Sequence, residues 1–200
     1  MIVTQITELP GGRRRIRLSD DSLITLYKCE LKELNIRSGG ELDDEAYNRI
    51  MTDILPKRAR LRALNLLKKR PYTEYQIRQK LTDGDYPEDI IEGAIEYIKD
   101  MRCLDDYGYA RTYIQYYSSL KSIRRITDDL RHKGVERDII EKALSDVRDD
   151  GDLSDEEELI VRLMDKRHYD RDSASYEDKQ EMKAYLYGKG FDMDTIDRCV

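Results

Sequence analysis

The sequence lacks the features by which membrane-spanning and disulfide-stabilised proteins are usually recognised. No apolar run approaches the ~18–20 residues needed to cross a bilayer, and the first residues have neither the basic start nor the apolar stretch of a signal peptide. There are three cysteines, they lie far apart, and none belongs to a CxxC pair. We therefore expect a cytoplasmic protein without a membrane contact, whose cysteines are free, buried thiols in a reducing compartment.

Signatures of catalysis and of cofactor binding are also missing. The chain contains no GxxxxGK[ST] loop, no GxGxxG after a strand, no HExxH and no GxSxG. The adjacent carboxylates Asp105 and Asp106 are better explained as a helix cap than as a metal site, because no third ligand has matching spacing. His132 and His168 stand alone and are expected at the surface. We predict a protein that is not an enzyme and that holds no metal and no cofactor.

Charge is abundant but nearly balanced. Charged residues and apolar residues each make up 39% of the chain, and the net charge is −6. This balance suits a helical protein with much solvated surface. The negative total argues mildly against a generic nucleic-acid binder, which is usually basic.

A helical pattern occurs three times in the last two thirds of the chain. Its anchors Leu81, Leu130 and Leu186 lie 49 and 56 residues apart, and each has an apolar residue four positions earlier. A period near 50 with helical spacing inside it predicts stacked units, each too small to bury its apolar face alone. Such arrays present surface to a large partner more often than they enclose a small substrate.

Before the repeats, the pattern is typical of a small antiparallel sheet. Short β-branched or alternating runs at 2–7, 14–18 and 22–27 are separated by turn residues. A helix follows, which Pro56 is expected to end or kink. We predict a mainly α fold of three tandem three-helix repeats in an elongated array, preceded by a small antiparallel β segment. The predicted segments are 1–56 for the β segment with its connecting helix, then 57–102, 103–150 and 151–200 for repeats one to three.

Several helix ends carry local signals. Thr73 with Gln76 three residues later predicts a capping box, and Ser154 with Glu157 predicts another. Gly134 supplies the left-handed residue that ends a helix.

Tyrosine supplies most of the aromatic side chains, since the chain has 15 tyrosines, one phenylalanine and no tryptophan. Tyr109, Tyr113, Tyr116 and Tyr117 follow an i, i+4, i+7, i+8 spacing, which predicts a stripe that faces the core. The alternative is that an exposed tyrosine stacks on a nucleic-acid base.

Two groups of basic residues are candidates for partner contact. Residues 57–80 contain nine positive side chains, and Glu74 is the only acid among them. In the second group, Arg124 and Arg131 lie seven residues apart and can share a helix face. Either group could neutralise acidic protein surface or phosphates, or could be ordinary solvated surface. The candidate partner-binding residues are Lys57, Arg58, Arg62, Lys69, Arg78, Arg124, Arg125, Arg131 and Lys133.

Three stretches carry a family resemblance through their order, spacing and recurrence. In 63–81 (ALNLLKKRPYTEYQIRQKL), a Leu-Leu pair precedes basic residues, Thr-Glu and a Lys-Leu ending. In 103–114 (CLDDYGYARTYI), Leu-Asp-Asp precedes an aromatic-Ala pair. In 122–135 (SIRRITDDLRHKGV), Arg-Ile and Leu precede Lys-Gly-Val. Over about residues 57–200 the chain resembles the RecX family, regulators of the bacterial RecA recombinase, although Lys121-Ser122 replaces a glycine expected before the basic residues.

The resemblance implies a function without catalytic chemistry. It implies three three-helix units in a curved array that binds along the groove of a RecA–DNA filament and bridges neighbouring protomers. There it modulates, and mostly inhibits, ATP hydrolysis and strand exchange, which places it in DNA recombination, DNA repair and the SOS response. We expect a monomer, and the basic groups allow a weak contact with DNA. A helical module that binds DNA directly and a generic protein-interaction adaptor remain the alternatives.

Overall fold

Three short strands at the start of the chain form an antiparallel sheet. The strands are β1 (Val3–Leu9), β2 (Arg13–Leu18) and β3 (Leu23–Tyr27), in the spatial order β1-β2-β3. Gly11 and Gly12 have φ values of 77° and 75°, which lets the chain turn sharply between β1 and β2. The predicted sheet is therefore confirmed by this computed structural model, which describes residues 1–200.

The first of two units, Met1–Asp105, contains the sheet and five helices. The helices are α1 (Lys28–Glu33), α2 (Asp44–Arg49), α3 (Leu55–Leu67), α4 (Glu74–Thr82) and α5 (Glu88–Asp100). Ile16 and Leu26 of the sheet belong to the same buried core as Ala59, Ile77 and Ile91 of the helices. The sheet and the first three-helix group, α3 to α5, are thus stabilised by one shared apolar core.

Pro56 does not end the helix in which it lies. Ile50–Ile54 form a π-helical turn that joins α2 to α3, and Pro56 lies in the first turn of α3. A proline ring crowds the carbonyl four residues earlier and has no N–H to donate. The wider π turn relieves this crowding, because the N–H of Leu55 bonds to the carbonyl of Ile50 instead of that of Met51. Of the two expected outcomes, a helix end at Pro56 is wrong, and a local distortion of the helix is found in the π turn just before it.

The second unit, Asp106–Val200, contains two further three-helix groups. Its helices are α6 (Asp106–Tyr117), α7 (Ile123–His132), α8 (Arg137–Asp149), α9 (Glu156–Lys166), α10 (Tyr176–Gly188) and α11 (Met193–Cys199). Leu81, Leu130 and Leu186 lie near the end of the middle helix of each group, and each is 0% exposed. The mainly α fold with three repeated three-helix groups is confirmed. None of its helices combines the length and the apolar character of a membrane-spanning segment.

Two predicted capping boxes have different outcomes. The hydroxyl of Thr73 accepts from Gln76 N at 3.2 Å and the Gln76 side chain accepts from Thr73 N at 3.3 Å, as predicted. Ser154 is not a cap, because α9 begins one residue later and Asp155 accepts from Glu157 N at 2.9 Å. The hydroxyl of Ser154 lies instead 3.2 Å from that of Ser118, to which it is hydrogen-bonded.

The cap at Thr73 supplies a first test. Thr73 is fully buried, so its removal leaves an N-terminal amide of α4 without its partner. We expect Thr73→Ala to lower the free energy of unfolding by about 1–2 kcal/mol in urea denaturation. Thr73→Ser keeps the hydroxyl and serves as the control. Equal stability of Thr73→Ala and the wild type would contradict the role of this cap.

The cysteines differ from their expected placement. Cys199 is buried, and this burial raises the pKa of its thiol. Cys29, near the start of α1, and Cys103, in the loop between α5 and α6, are free but exposed. The prediction of buried thiols is therefore wrong for these two, because each lies on a solvent-facing segment. His132 and His168 are exposed, as predicted, and Gly134 ends α7 with a φ of 78°.

Candidate partner-binding surfaces

Arg58, from the first basic group, is engaged inside the first unit. Its guanidinium lies 2.9 Å from Glu30 Oε2, donates to the carbonyl of Thr25 at 3.1 Å, and lies 4.6 Å from the centre of the Tyr27 ring. Its side chain is 18% exposed. Arg58 therefore holds β3 and α1 against α3, and its charge is already neutralised.

Arg78, on α4, is likewise paired within the unit. Its guanidinium bonds to Glu74 Oε1 at 2.9 Å and to Glu92 Oε2 at 2.9 Å, which ties α4 to α5. These hydrogen bonds, above all the one that Arg78 donates to Glu92, raise the pKa of Arg78. Burial alone would raise the pKa of Glu74, but hydrogen bonds from Lys99 and Arg78 bring it below its ordinary value. Arg78 therefore acts mainly within the unit.

The remaining candidates of the first group lie on or just beyond α3. Lys57 is exposed and forms an i, i+4 ion pair with Asp53 at 2.5 Å. Arg62 lies with its guanidinium 5.9 Å from the centre of the Tyr86 ring, and Lys69 is exposed beyond the end of α3. Arg62 and Lys69 form no ion pair with a carboxylate.

Arg62 and Lys69 line an open cavity of about 420 Å³ between the sheet, α3 and the turn that precedes α5. Arg58 and Arg13 also line it, together with the rings of Tyr27 and Tyr86. The structure thus brings three of the sequence candidates together around one concave site, and it adds Arg13, which sequence reasoning missed. The run of three arginines at 13–15 was a signal for it, since alternate residues of a strand share a face.

The second basic group forms an exposed face of α7. Ile126 and Leu130 are fully buried on one side of this helix, whereas Arg124, Arg125 and Arg131 are exposed. Arg131 makes a 3.7 Å contact with Asp128, and neither Arg124 nor Arg125 forms an ion pair. We call Arg124, Arg125 and Arg131 the α7 basic face.

The start of α7 is held in place by the third three-helix group. Ser122 donates to the carbonyl of Lys189 at 2.9 Å, and the Ile123 N–H donates to Glu156 at 2.8 Å. Gly190 permits this approach, since a Cβ there would lie 2.7 Å from Ser122 Oγ and its φ is 91°. Burial raises the pKa of Glu156. The α7 basic face is therefore presented from an anchored helix.

A stack of tyrosines lies beside this face. The ring centres of Tyr109 and Tyr113 are 6.2 Å apart, and those of Tyr113 and Tyr117 are 4.3 Å apart. All three rings are half-buried against the apolar core of the second three-helix group, which we call the second core. The predicted core-facing stripe is confirmed for these three and wrong for Tyr116, which is 67% exposed. Tyr116 lies beyond the edge of the buried stripe and makes only an edge contact with Tyr117.

Lysines flank the tyrosine stack. Lys121 lies 4.4 Å from the centre of the Tyr117 ring and forms an ion pair with Asp129 at 2.6 Å. Hydrogen bonding to Lys121 lowers the pKa of Asp129. Lys133, the last sequence candidate, lies 5.5 Å from the centre of the Tyr113 ring. These contacts make Lys133 part of the stack and separate it from the outward-facing arginines.

A groove of about 450 Å³ adjoins the α7 basic face. Leu120, Leu163 and Phe191 provide its apolar surface, and Arg125 and Lys189 provide positive charge. Asp129 also lines the groove, but its carboxylate is paired with Lys121. Leu120 is 58% exposed, so its side chain is available to a partner. A groove of this kind suits a segment that offers an apolar side chain next to an acidic one. Neither Leu120 nor Lys189 was a sequence candidate, because the groove forms only when the second and third groups pack.

Comparison with known proteins gives the same family for each three-helix group. Family models described as the first, second and third three-helix domains of RecX match residues 59–97, 105–144 and 155–200.

Whole-chain relatives and solved structures carry the same name. The Regulatory protein RecX of Caldanaerobacter subterraneus subsp. tengcongensis is 31% identical over 168 residues, which is 84% of this chain and 81% of the relative. The Regulatory protein RecX of Clostridioides difficile is 27% identical over 98% of this chain and 93% of its own length. A crystal structure of regulatory protein RecX matches 99% of this chain and 98% of its own, with a TM-score of 0.65 and 25% identity. RecX from Lactobacillus salivarius matches 73% of this chain and 94% of its own, with a TM-score of 0.61 and 28% identity.

Proposed function

This chain belongs to the RecX family of regulatory proteins, and on that premise we propose that it binds the RecA–DNA filament and modulates it, mostly by inhibition. The affected activities are ATP hydrolysis and strand exchange. The chain acts as a monomer in the cytoplasm, by binding alone and without a catalytic step of its own.

The α7 basic face is the observation that carries the proposed contact. Arg124 and Arg125 are exposed next to each other, and neither is neutralised within the chain. Unpaired positive charges on one helix repel each other, and an acidic partner surface relieves that repulsion. The nearby groove adds apolar surface that a charged surface alone lacks. Together they fit a protein surface with acidic and apolar residues, which favours a protein partner over bare DNA.

Inhibition follows from linked contacts. Three helical groups on one chain offer several weak contacts, and contacts on one chain combine as avidity. When they engage neighbouring filament protomers, they resist the relative motion that accompanies ATP hydrolysis. The first basic group contributes at Lys57, Arg62 and Lys69, whereas Arg58 and Arg78 act mainly by holding the first unit together.

The direct test is the ATPase activity of RecA on single-stranded DNA, measured while this protein is titrated in. We expect the rate to fall as the protein is added, because each bound molecule restrains the neighbouring protomers that it bridges. An unchanged rate at severalfold excess over RecA would contradict the proposal.

A mobility-shift titration with DNA alone, at two salt concentrations, separates the competing function. A direct DNA binder shows tight binding that weakens steeply with salt, because each neutralised phosphate releases counterions. We expect weak binding in this assay under conditions in which RecA is inhibited.

A further inference from the structure

The open cavity of the first unit contains positive charge that the fold does not neutralise. Arg13, Arg58, Arg62 and Lys69 line it, and no carboxylate does. Glu30 neutralises Arg58. Arg13 donates only to the carbonyl of Pro10, at 3.0 Å, and Arg62 and Lys69 have no acidic partner. Three uncompensated cations therefore converge on a concave site, where an anion would be stabilised by all of them.

Two arginine–tyrosine contacts orient guanidinium groups that line the cavity, those of Arg58 and of Arg62. Arg58 lies 4.6 Å from the centre of the Tyr27 ring and Arg62 lies 5.9 Å from that of Tyr86. A ring holds a guanidinium by its face without using the N–H groups at the edge. The N–H donors of Arg62 thus stay available, and planar guanidinium donors match phosphate oxygens well.

The backbone at Gly84 allows Arg62 to reach this position. A Cβ at Gly84 would lie 2.5 Å from Arg62 Nη1 and 3.0 Å from the Tyr86 ring. The absence of a side chain at residue 84 therefore lets the guanidinium lie against the turn that follows α4. This close approach places the guanidinium of Arg62 at the wall of the cavity.

The other residues that line the cavity favour a ligand that has an aromatic or apolar part as well as a negative charge. Tyr27 is 41% exposed and Leu61 is 58% exposed, so the cavity offers aromatic and apolar surface next to its charge. Its volume of about 420 Å³ is within the range of small-ligand sites, roughly 300–1,000 Å³. A phosphate ester that carries an aromatic base matches both parts.

We propose that this cavity binds a nucleotide, whose phosphate groups contact Arg13, Arg62 and Lys69 and whose base packs against the exposed part of Tyr27 that Arg58 leaves uncovered. The same chemistry is available from a free nucleoside triphosphate and from one nucleotide of a single strand. All residues of the site come from this chain, so nucleotide binding does not require RecA.

Fluorescence anisotropy on the full chain tests the site with two probes, a fluorescent ATP analogue and a fluorescein-labelled dT oligonucleotide. Binding of the ATP analogue identifies the free nucleotide as the ligand, and binding of the oligonucleotide alone identifies the strand. Binding of neither probe at millimolar protein overturns the proposal. Unlabelled ATP should compete better than inorganic triphosphate, and equal competition would overturn the base contact with Tyr27.

Matched variants then place the ligand in the cavity. We expect the double variant Arg62→Gln and Lys69→Gln to weaken binding of the bound probe about tenfold or more, since two charge-assisted hydrogen bonds are lost. The control is Arg60→Gln with Lys68→Gln, which removes the same charge at exposed positions next to these residues but outside the cavity. Equal weakening by both pairs would show a general charge effect and would overturn the site. These titrations contain no RecA, so a loss of nucleotide binding is measured independently of the proposed RecA contact, in which Arg62 and Lys69 also take part.

Discussion

Reversing Arg124, Arg125 and Arg131 to glutamate will remove most of the inhibition of RecA while leaving the fold in place. All three side chains are exposed, and the buried face of α7, with Ile126 and Leu130, is unchanged. Glutamates at 124 and 125 lie in the first turn of α7, where negative charge is favourable, and a glutamate at 131 lies in the last turn, where it costs about 0.3–1 kcal/mol. New repulsions with Asp128 and Asp129 at i, i+3 and i, i+4 cost about 0.2–0.5 kcal/mol per pair, so the fold should be retained with a small drop in melting temperature.

The expected loss of binding is large because reversal adds repulsion to the lost attraction. Like charges placed against each other at an interface cost several kcal/mol, and each ~1.4 kcal/mol is a tenfold change in affinity. We expect the concentration of the variant that half-inhibits the RecA ATPase to be about tenfold or more above that of the wild type. Circular dichroism on the same samples checks that the helices are intact.

A charge-matched variant controls for the change in net charge. Arg162, Lys166 and Arg171 are exposed residues of the third three-helix group that form no ion pair. Their reversal to glutamate changes the net charge by the same amount, and we expect inhibition close to that of the wild type. If the α7 variant inhibits RecA as well as the wild type does, the contact does not lie on α7. That result would not contradict RecA as the partner.

The repeat could be predicted from sequence because its signals are local. Leu81, Leu130 and Leu186 recur with a period near 50 residues, each within a helical pattern of apolar residues, and each is buried in the corresponding helix. The cap formed by Thr73 and Gln76 spans three residues and needs no information from elsewhere in the chain. Local geometry and burial agree at these positions, so the prediction of the fold holds.

The division among the basic residues could not be predicted in the same way. Sequence treats the nine positive residues of 57–80 as one set, whereas Arg58 is neutralised by Glu30, which lies 28 positions away. The cavity needs Arg13 of β2 to lie near α3, and that placement depends on how the sheet packs. Charge counts give the composition of a surface, but only the tertiary fold determines which charges remain unpaired.

The first residue of α9 could not be predicted from the sequence either, because it depends on a tertiary contact. Ser154 and Glu157 have capping-box spacing, but the Ser154 hydroxyl accepts a hydrogen bond from Ser118, which lies 36 positions away. A distant partner therefore changes the choice between two adjacent caps, and Asp155 takes the role. Local signals decide that a helix starts here, and a tertiary contact decides at which residue.

Shortening Leu130 to alanine should give the largest loss of stability among the changes considered. Leu130 is fully buried in the second core, with Ala110, Ile126 and Val135. Removing three carbon atoms there costs their transfer free energy and leaves a cavity, which together amount to about 2–5 kcal/mol. Urea denaturation followed by circular dichroism measures this loss.

Leu120 offers a control with the same chemistry and the opposite environment. It is 58% exposed at the edge of the groove, so Leu120→Ala should cost less than about 0.5 kcal/mol of stability. If the groove contacts RecA, Leu120→Ala will nevertheless weaken inhibition, because the partner loses an apolar contact. Equal and small losses of stability for both variants would mean that Leu130 does not anchor its three-helix group. If Leu130→Ala alone lowers stability and Leu120→Ala weakens RecA inhibition, Leu130 stabilises the three-helix group and Leu120 contacts the partner.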